Sequence, residues 1–600
     1  MGHLKDKHII RFWNGLFFIA MLIFWRFCYA NHLLHKEQMQ LFLLTSDYLK
    51  THLQVQGGLS IYLGGFLTQF FLNKWAASIL VAALLVMFAI GIQKVLKNVS
   101  GEGFYPLSFL PAIGYHFLLF NPYFKLAGLV AVTLSVWSVV ALVQFKKAKQ
   151  RTFSVFVLLL INYWFCGGAF LLFTLSAVVI ELLAKAKQNT EFQSVKSPLI
   201  IVSVYVLSAL FLPVFTRRFL VTDHLLSAWF SRAFYQFSFL LPFPVILMLL
   251  SLPLLVIFYS LIPKIQGKIW PVLTGAVLFA GFVLGSVKLP DFAEEREMYF
   301  DNLAHFQKWE EIIDLAQQEA PTGKEGKVAL TLALANTEKM STLLFHFNPE
   351  PNDFFIPFNI MGQAPLIAND PYFYLGLINF SKMLCNETIE STPDESRPVR
   401  MMQRLAEDYI ISGQNEVASR YLWYLKRTIF YRKWAESAEE YLANKKTNLH
   451  PEWVKLEKQL AHDDFYFQYD RIDAALISLL RSDPHNKMAY EYLMNWYLLR
   501  KDFDSFLKYL PLVYAMNYKS VPVVFQEAVA YIKTLYEEVP EGLKQYPVSL
   551  EVEQQLTRYA QAFQQGGSKQ AAGMKKLFGN TYWYYVHFTD FENETSGTKF

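Results

Sequence analysis

The sequence predicts an all-α protein in two parts: a polytopic transmembrane helical domain of about nine spans over residues 1–288, then a soluble α-solenoid over 289–600. Three observations carry this. Of 50 Asp and Glu residues, only seven fall in the first 287 positions, against 22 Lys and Arg there. Carboxylates are costly in hydrocarbon, whereas Lys and Arg reach from helix ends to the interface. Apolar runs long enough to cross a bilayer recur through the front part. Behind it the pattern turns polar, acidic and helical.

The spans fall near 10–30, 75–96, 124–145, 153–168, 169–184, 197–215, 243–263 and 269–287, with a weaker one at 104–121 that holds Pro106, Gly114 and His116. The first, without a small-residue cleavage site, reads as a retained signal anchor. Segments 153–168 and 169–184 are split only by Cys166-Gly167-Gly168, so they can form one bent hairpin. Nine crossings place the termini on opposite sides. Positive clusters set the direction. Lys5, Lys7 and Arg11, then Lys94 and Lys97, Lys146 to Arg151, Lys185 to Lys196, and Lys264 with Lys268 all thread to one side. The expectation is a cytoplasmic N-terminus in the inner membrane and a periplasmic domain after Lys288.

Two outer loops are long, 31–74 and 216–242. In the first, Leu41, Phe42, Leu44, Tyr48 and Leu49 recur at helical spacing, which predicts an amphipathic helix on the membrane face. Gly57-Gly58 and Gly64-Gly65 follow no strand, so they suit close helix packing or re-entry rather than phosphate binding. The second carries Arg217, Arg218, Asp223, His224 and Arg232 among aromatics.

In the back part, Asp483-Pro484-His485-Asn486 opens a helix through Trp496, Arg500-Lys501-Asp502 turns, and Phe503 to Leu510 returns. That pair has tetratricopeptide size. Leu405 to Leu425 around Gly413, Tyr299 to Ala316 around Trp309, and a unit opened by Asp370-Pro371 are further candidates. Stacked pairs leave a concave face for a peptide or protein; a packed helical cap is the alternative.

Cys28, Cys166 and Cys385 are too scattered for a disulfide framework or a zinc site. The pI near 8.7 does not indicate nucleic acid, because the positive charge lies in loops between apolar runs. No Ser-His-Asp, Walker or His-Glu-X-X-His pattern occurs.

Three of the seven front acids face outward: Glu37, Asp47 and Asp223. Glu37 and Asp47, in the first outer loop, resemble in placement the essential acid of GT-C membrane glycosyltransferases and oligosaccharyltransferases. The whole chain also resembles a family of Bacteroidota polytopic inner-membrane proteins with a C-terminal tetratricopeptide-like domain. Glu37-Gln38, Gly57-Gly58-Leu59 and Gln69-Phe70-Phe71 carry that likeness, and no activity comes with it. The GT-C resemblance implies a polyprenyl-phosphate sugar donor. Glu37 or Asp47 would then act on the acceptor as the catalytic carboxylate. Arg217, Arg218 and Arg232 would hold the phosphate, helped by Asp223, His224 and His116. The implied partners are a membrane lipid or lipid-linked glycan, and a protein or glycan acceptor on the C-terminal repeats. A divalent metal such as Mg or Mn would suit such chemistry, but the loop has no Asp-X-Asp or Glu-X-Asp pair. Each residue also has a plainer reading. The arginines can anchor to lipid phosphates, Glu37 and Asp47 can pair with Lys36 and Lys50, and His116 can bond between helices. The competing whole-protein reading is a non-enzymatic membrane-anchored scaffold for envelope assembly. A transporter ranks third, since no acid sits mid-membrane.

Overall fold

The computed structural model describes residues 2–101, 105–186, 198–219, 229, 234, 243–261, 269–356, 365–392, 397–444, 449–460, 471–536, 538–566 and 571–589. Among the described residues the elements are helical throughout. The chain divides into two compact units. The first is Met1–Glu295 with Thr392–Arg400 and Trp423–Glu436; the second is Arg296–Ser391, Met401–Leu422 and Ser437–Phe600.

The first unit opens with α1 (Gly2–Ile23), which runs on through a π-helical turn, Phe24–Cys28. Three short helices follow: α2 (Ala30–Gln38), α3 (Ser46–Leu53) and α4 (Gly58–Thr68). Then comes α5 (Lys74–Ser100), whose first turn is capped by the Asn73 side chain accepting from Trp75 and Ala76 N–H. At 27 residues it spans about 40 Å, enough for a bilayer core. The rest are α6 (Leu110–Leu118), α7 (Leu126–Leu142), α8 (Ala148–Cys166), α9 (Phe170–Ala186), α10 (Pro198–Phe219), α11 (Phe243–Leu261) and α12 (Ile269–Lys288).

Among the described residues, six stretches are long and apolar enough to cross a membrane: His8–Cys28, Lys74–Ser100, Ala148–Leu183, Leu199–Arg218, Phe243–Leu261 and Trp270–Lys288. Gly58–Leu72 and Leu126–Leu142 are shorter apolar helices. Large apolar side chains such as Phe12, Phe153, Leu207, Phe211, Phe243 and Leu284 stand exposed along these helices. Water would not tolerate so much, and lipid would. The chain is a multi-pass membrane protein, with six candidate spanning stretches among the described residues rather than the nine spans expected. The weak segment at 104–121 is a 3₁₀ turn, Pro106–Phe109, plus the nine residues of α6, too short to cross alone.

The 36-residue stretch Ala148–Leu183 is folded back on itself. Gly167, at φ +54°, ends α8 in a conformation that disfavours a Cβ. Arg151 near the start of α8 then meets Glu181 near the end of α9, Nε to Oε1 at 2.6 Å and Nη2 to Oε2 at 3.0 Å. A straight helix would hold residues 30 apart at about 45 Å, so α8 and α9 form an antiparallel hairpin. Both side chains are buried, and Arg151 Nη1 also donates to the carbonyls of Phe145 and Lys146. The charge of this arginine is therefore compensated within the bundle.

The second unit contains the expected helix pairs. Asn486 caps Lys487–Leu499 through Ala489 N–H, and Asp502 caps Phe503–Tyr509 through Ser505 N–H. Gly413, at φ +72°, turns the chain between Val399–Ile411 and Asn415–Leu425. Arg404 joins two pairs, bonding Asp370 at 3.1 Å and Glu407 at 2.6 Å while stacking on Phe373. The pairs do not meet only their chain neighbours. One core runs from Phe300 to Tyr585, with Phe354 against Tyr492, Phe345 against Tyr582, and Asn495 bonded to Ser341. In an open solenoid, contacts stay between adjacent repeats.

Removing one partner of the Arg151–Glu181 pair leaves a buried charge. Arg151→Ala and Glu181→Leu should each cost about 3–5 kcal/mol, read as a drop in Tm in detergent. The Arg151→Met, Glu181→Leu double variant should recover most of it. Single variants as stable as wild type would show that the pair does not hold the hairpin closed.

Candidate functional site

The short helix α2 reads Ala-Asn-His-Leu-Leu-His-Lys-Glu-Gln, and most of it is buried despite six polar residues. Buried polar groups need partners, and these come from distant parts of the first unit.

At the N-terminus of α2 the preceding residue, Tyr29, supplies no side-chain cap. Glu295 supplies one instead: Oε1 accepts Asn31 N–H at 2.7 Å and Oε2 accepts His32 N–H at 2.8 Å. A carboxylate there also complements the positive end of the helix dipole. Burial pushes Glu295 up to about 7, against the opposing pull of those hydrogen bonds. Lys74 Nζ holds the Asn31 side chain at 3.0 Å. Further along, Lys36 Nζ donates to the carbonyls of Asn121, Pro122 and Phe124 at 2.6, 3.1 and 2.8 Å, tying down the turn before α7. Burial lowers this lysine to about 7.

Glu37 is 3% exposed, and its Oε2 accepts the Tyr431 hydroxyl at 3.0 Å. Burial pushes its carboxyl up to about 8, only partly offset by that bond. It is therefore largely protonated at neutral pH. Next to it, Gln38 accepts from Arg400 Nη1 at 3.1 Å. Leu44 N–H donates to the Arg427 carbonyl at 2.8 Å, and Phe430 packs edge-on against Phe70. Segments Thr392–Arg400 and Trp423–Glu436 thus complete the surroundings of α2.

Among the described residues, the other expected ones make no bond to Glu37. Asp47 lies in the first turn of α3, its side chain 90% exposed and 3.6 Å from Lys50. Arg217 and Arg218 are exposed in the last turn of α10, and no hydrogen bond or ion pair joins them to Glu37 or Asp47. His116 is buried in the bundle, its Nε2 3.0 Å from Ser286 Oγ, ringed by Phe24, Trp25, Phe120 and Phe282. That is a helix-to-helix bond. Asp223, His224 and Arg232 lie outside the described residues.

The loop also differs locally from the amphipathic helix expected through Leu41 and Leu49. Residues 40–45 are not helical, and α3 begins only at Ser46, capped by Thr45 through Tyr48 N–H. The Leu44–Arg427 backbone bond draws this stretch out of a helix. The glycine reading holds for Gly64, where a Cβ would come within 2.5 Å of Ala127 Cα, so α4 packs directly on α7. Among the described residues, no three His, Cys, Asp or Glu side chains are grouped to hold a metal ion. A neutral carboxyl beside a tyrosine hydroxyl does not make a divalent-cation site either.

Sequence reasoning found Glu37 and missed Tyr431, Arg400 and Glu295. Those partners lie more than 250 positions away, with no motif to connect them.

Because Glu37 rises from 4.5 to about 8 on folding, its proton is held more tightly in the folded state. Its contribution to stability is complete below about 4.5 and is lost as pH rises through about 8. Glu37→Gln should match wild type in Tm near pH 5 and exceed it increasingly towards pH 9. Parallel Tm-against-pH curves would show that Glu37 titrates normally.

No curated protein and no solved structure matches this chain. A family model described as a family of unknown function, DUF6057, matches residues 7–589. Since that covers nearly the whole chain, the protein belongs to the DUF6057 family.

Proposed function

We propose that the protein is a membrane glycosyltransferase or oligosaccharyltransferase of GT-C type, using a polyprenyl-phosphate-linked sugar at the outer face of the inner membrane. The observation that carries this reading is Glu37, a carboxyl with its pKa near 8, set in the first loop after α1. Proton transfer is most efficient when the group titrates near the working pH. Tyr431 donates to Glu37 Oε2. In the molecules whose Glu37 is ionised, an acceptor hydroxyl that displaces the tyrosine would donate to the same oxygen and pass its proton there as it attacks the sugar's anomeric carbon, whose bond to the lipid-linked phosphate breaks so that the phosphate leaves. The phosphate of the donor would lie against Arg217 and Arg218, exposed at the end of α10. Glu37 is favoured over Asp47, which is solvated and already paired with Lys50. The helical second unit would recognise the acceptor.

Topology supports the outer location. Glu295 lies just beyond α12 and bonds the backbone just beyond α1. Both helices ending at the same face fits an odd number of crossings from the first span to the last, the α8–α9 hairpin within Ala148–Leu183 counting as two. With the lysine-rich loops cytoplasmic, residues after Lys288 are periplasmic. Reporter fusions after Arg151 and after Lys288 should show opposite accessibility. Equal accessibility would overturn the odd count.

A second reading is favoured by the local pairing of both loop acids, Glu37 with Tyr431 and Asp47 with Lys50. Here the protein is a non-enzymatic membrane scaffold, and Glu37 only fastens Trp423–Glu436. The two readings part in one assay, transfer of a lipid-linked glycan by purified protein. The transferase reading expects Glu37→Gln to lower kcat by at least about 100-fold with normal folding, and Arg217→Ala to raise KM for the donor. Unchanged transfer in Glu37→Gln, or none in wild type with any lipid-linked donor, favours the scaffold.

A further inference from the structure

We infer that Trp423–Arg432 is a membrane-interface contact that binds phospholipid headgroups. This rests on Lys74–Ser100 crossing the membrane, not on the transferase chemistry. The segment lies in the sequence far from any apolar run, yet it belongs to the first unit. Phe430 meets Phe70 with ring centroids 5.6 Å apart, Ile429 N–H reaches Gln69 Oε1, and the Arg427 carbonyl takes Leu44 N–H. Phe70 is four residues before α5, the 27-residue apolar span. Four residues reach at most about 14 Å, so Phe430 sits at the level where the chain enters the bilayer.

The chemistry of the segment suits that level. Tyr431 turns inward to Glu37, while Phe430 beside it is 37% exposed and Trp423 is 47% exposed. The Arg427 guanidinium stacks on Trp423 at 3.5 Å, one Nη donating to the Trp423 carbonyl. This leaves further N–H donors for an anion beside a half-exposed indole. An exposed aromatic paired with a cation is what the interface selects: the ring enters the headgroup layer and the cation meets phosphate. The entry to α5 itself is built the same way, with Arg26 lying against the exposed rings of Phe27 and Trp75 at 5.0 and 4.8 Å. Leu44, bonded to Arg427 through the backbone, adds another exposed apolar side chain. A water-facing or protein-covered segment is the other outcome of the test.

The test uses the full chain in nanodiscs. The emission lost in Trp423→Phe isolates that indole from the other tryptophans. Lipids brominated near the glycerol end of the acyl chain should quench it strongly, and aqueous iodide weakly. In nanodiscs of mixed phosphatidylglycerol and phosphatidylcholine, Arg427→Gln should lower the preference for retained anionic lipid by about fivefold, the effect of one cation at an anionic surface. Both substitutions are at surface positions, and an unchanged Tm confirms the fold. Trp423 emission quenched by iodide but not by brominated lipid, or an anionic preference unchanged in Arg427→Gln, overturns the proposal.

Discussion

Burying the polar helix Ala30–Gln38 is the constraint on which the arrangement of the first unit depends. A nine-residue helix with His, Lys, Glu and Gln on its surface has no reason of its own to leave water. It is held because its first amides and the side chains of Lys36, Glu37 and Gln38 are met from somewhere else. Glu295 meets its N-terminal amides, the turn after α6 receives Lys36, Tyr431 meets Glu37 and Arg400 meets Gln38. An unsatisfied polar group in such a place costs about 1–3 kcal/mol, so the distant segments and the helix specify one another.

A carboxylate from one element at the helix start of another is a repeated device in this chain. In the second unit, Glu297 accepts from Thr322, Gly323 and Gly326 N–H at the start of Lys324–Asn336, where Gly323 supplies no side-chain cap. Glu527 accepts from Tyr582 N–H at the start of Tyr582–Phe588, and its own carbonyl takes the Trp583 indole. Burial pushes Glu527 up to about 7, as it does Glu295. Local caps stop a helix; these distant ones also fix where it lies. They are one reason the acids concentrated in the later residues have structural work within a helical core.

Much of this was legible in the sequence, and the reasons are physical. Apolar length marked the long helices, and the Cys166-Gly167-Gly168 break marked the hairpin of α8 and α9. The Asp483-Pro484-His485-Asn486 start and the Arg500-Lys501-Asp502 turn marked a helix pair, because turn chemistry is local. Glu37 stood out because acids are rare in its surroundings. What could not be read was long-range. Nothing around Tyr431 announces that it meets a residue 394 positions earlier. The helix pairs looked like a linear stack because pair spacing is visible in sequence, whereas the packing of Phe354 on Tyr492 is not. The short α6 and the non-helical stretch before α3 were misjudged for a similar reason. Periodicity gave no hint of the 3₁₀ turn at Pro106 or of the backbone bond from Leu44 to Arg427.

The central claim is that Glu37 carries a proton at neutral pH while bonded to Tyr431. Difference infrared spectroscopy between wild type and Glu37→Gln reads this directly. The account predicts a protonated-carboxyl C=O band at pH 7 that is absent in Glu37→Gln, shifts in Tyr431→Phe as its hydrogen bond is lost, and fades as pH rises through about 8. A Glu37 that shows only carboxylate bands at pH 7 would contradict it.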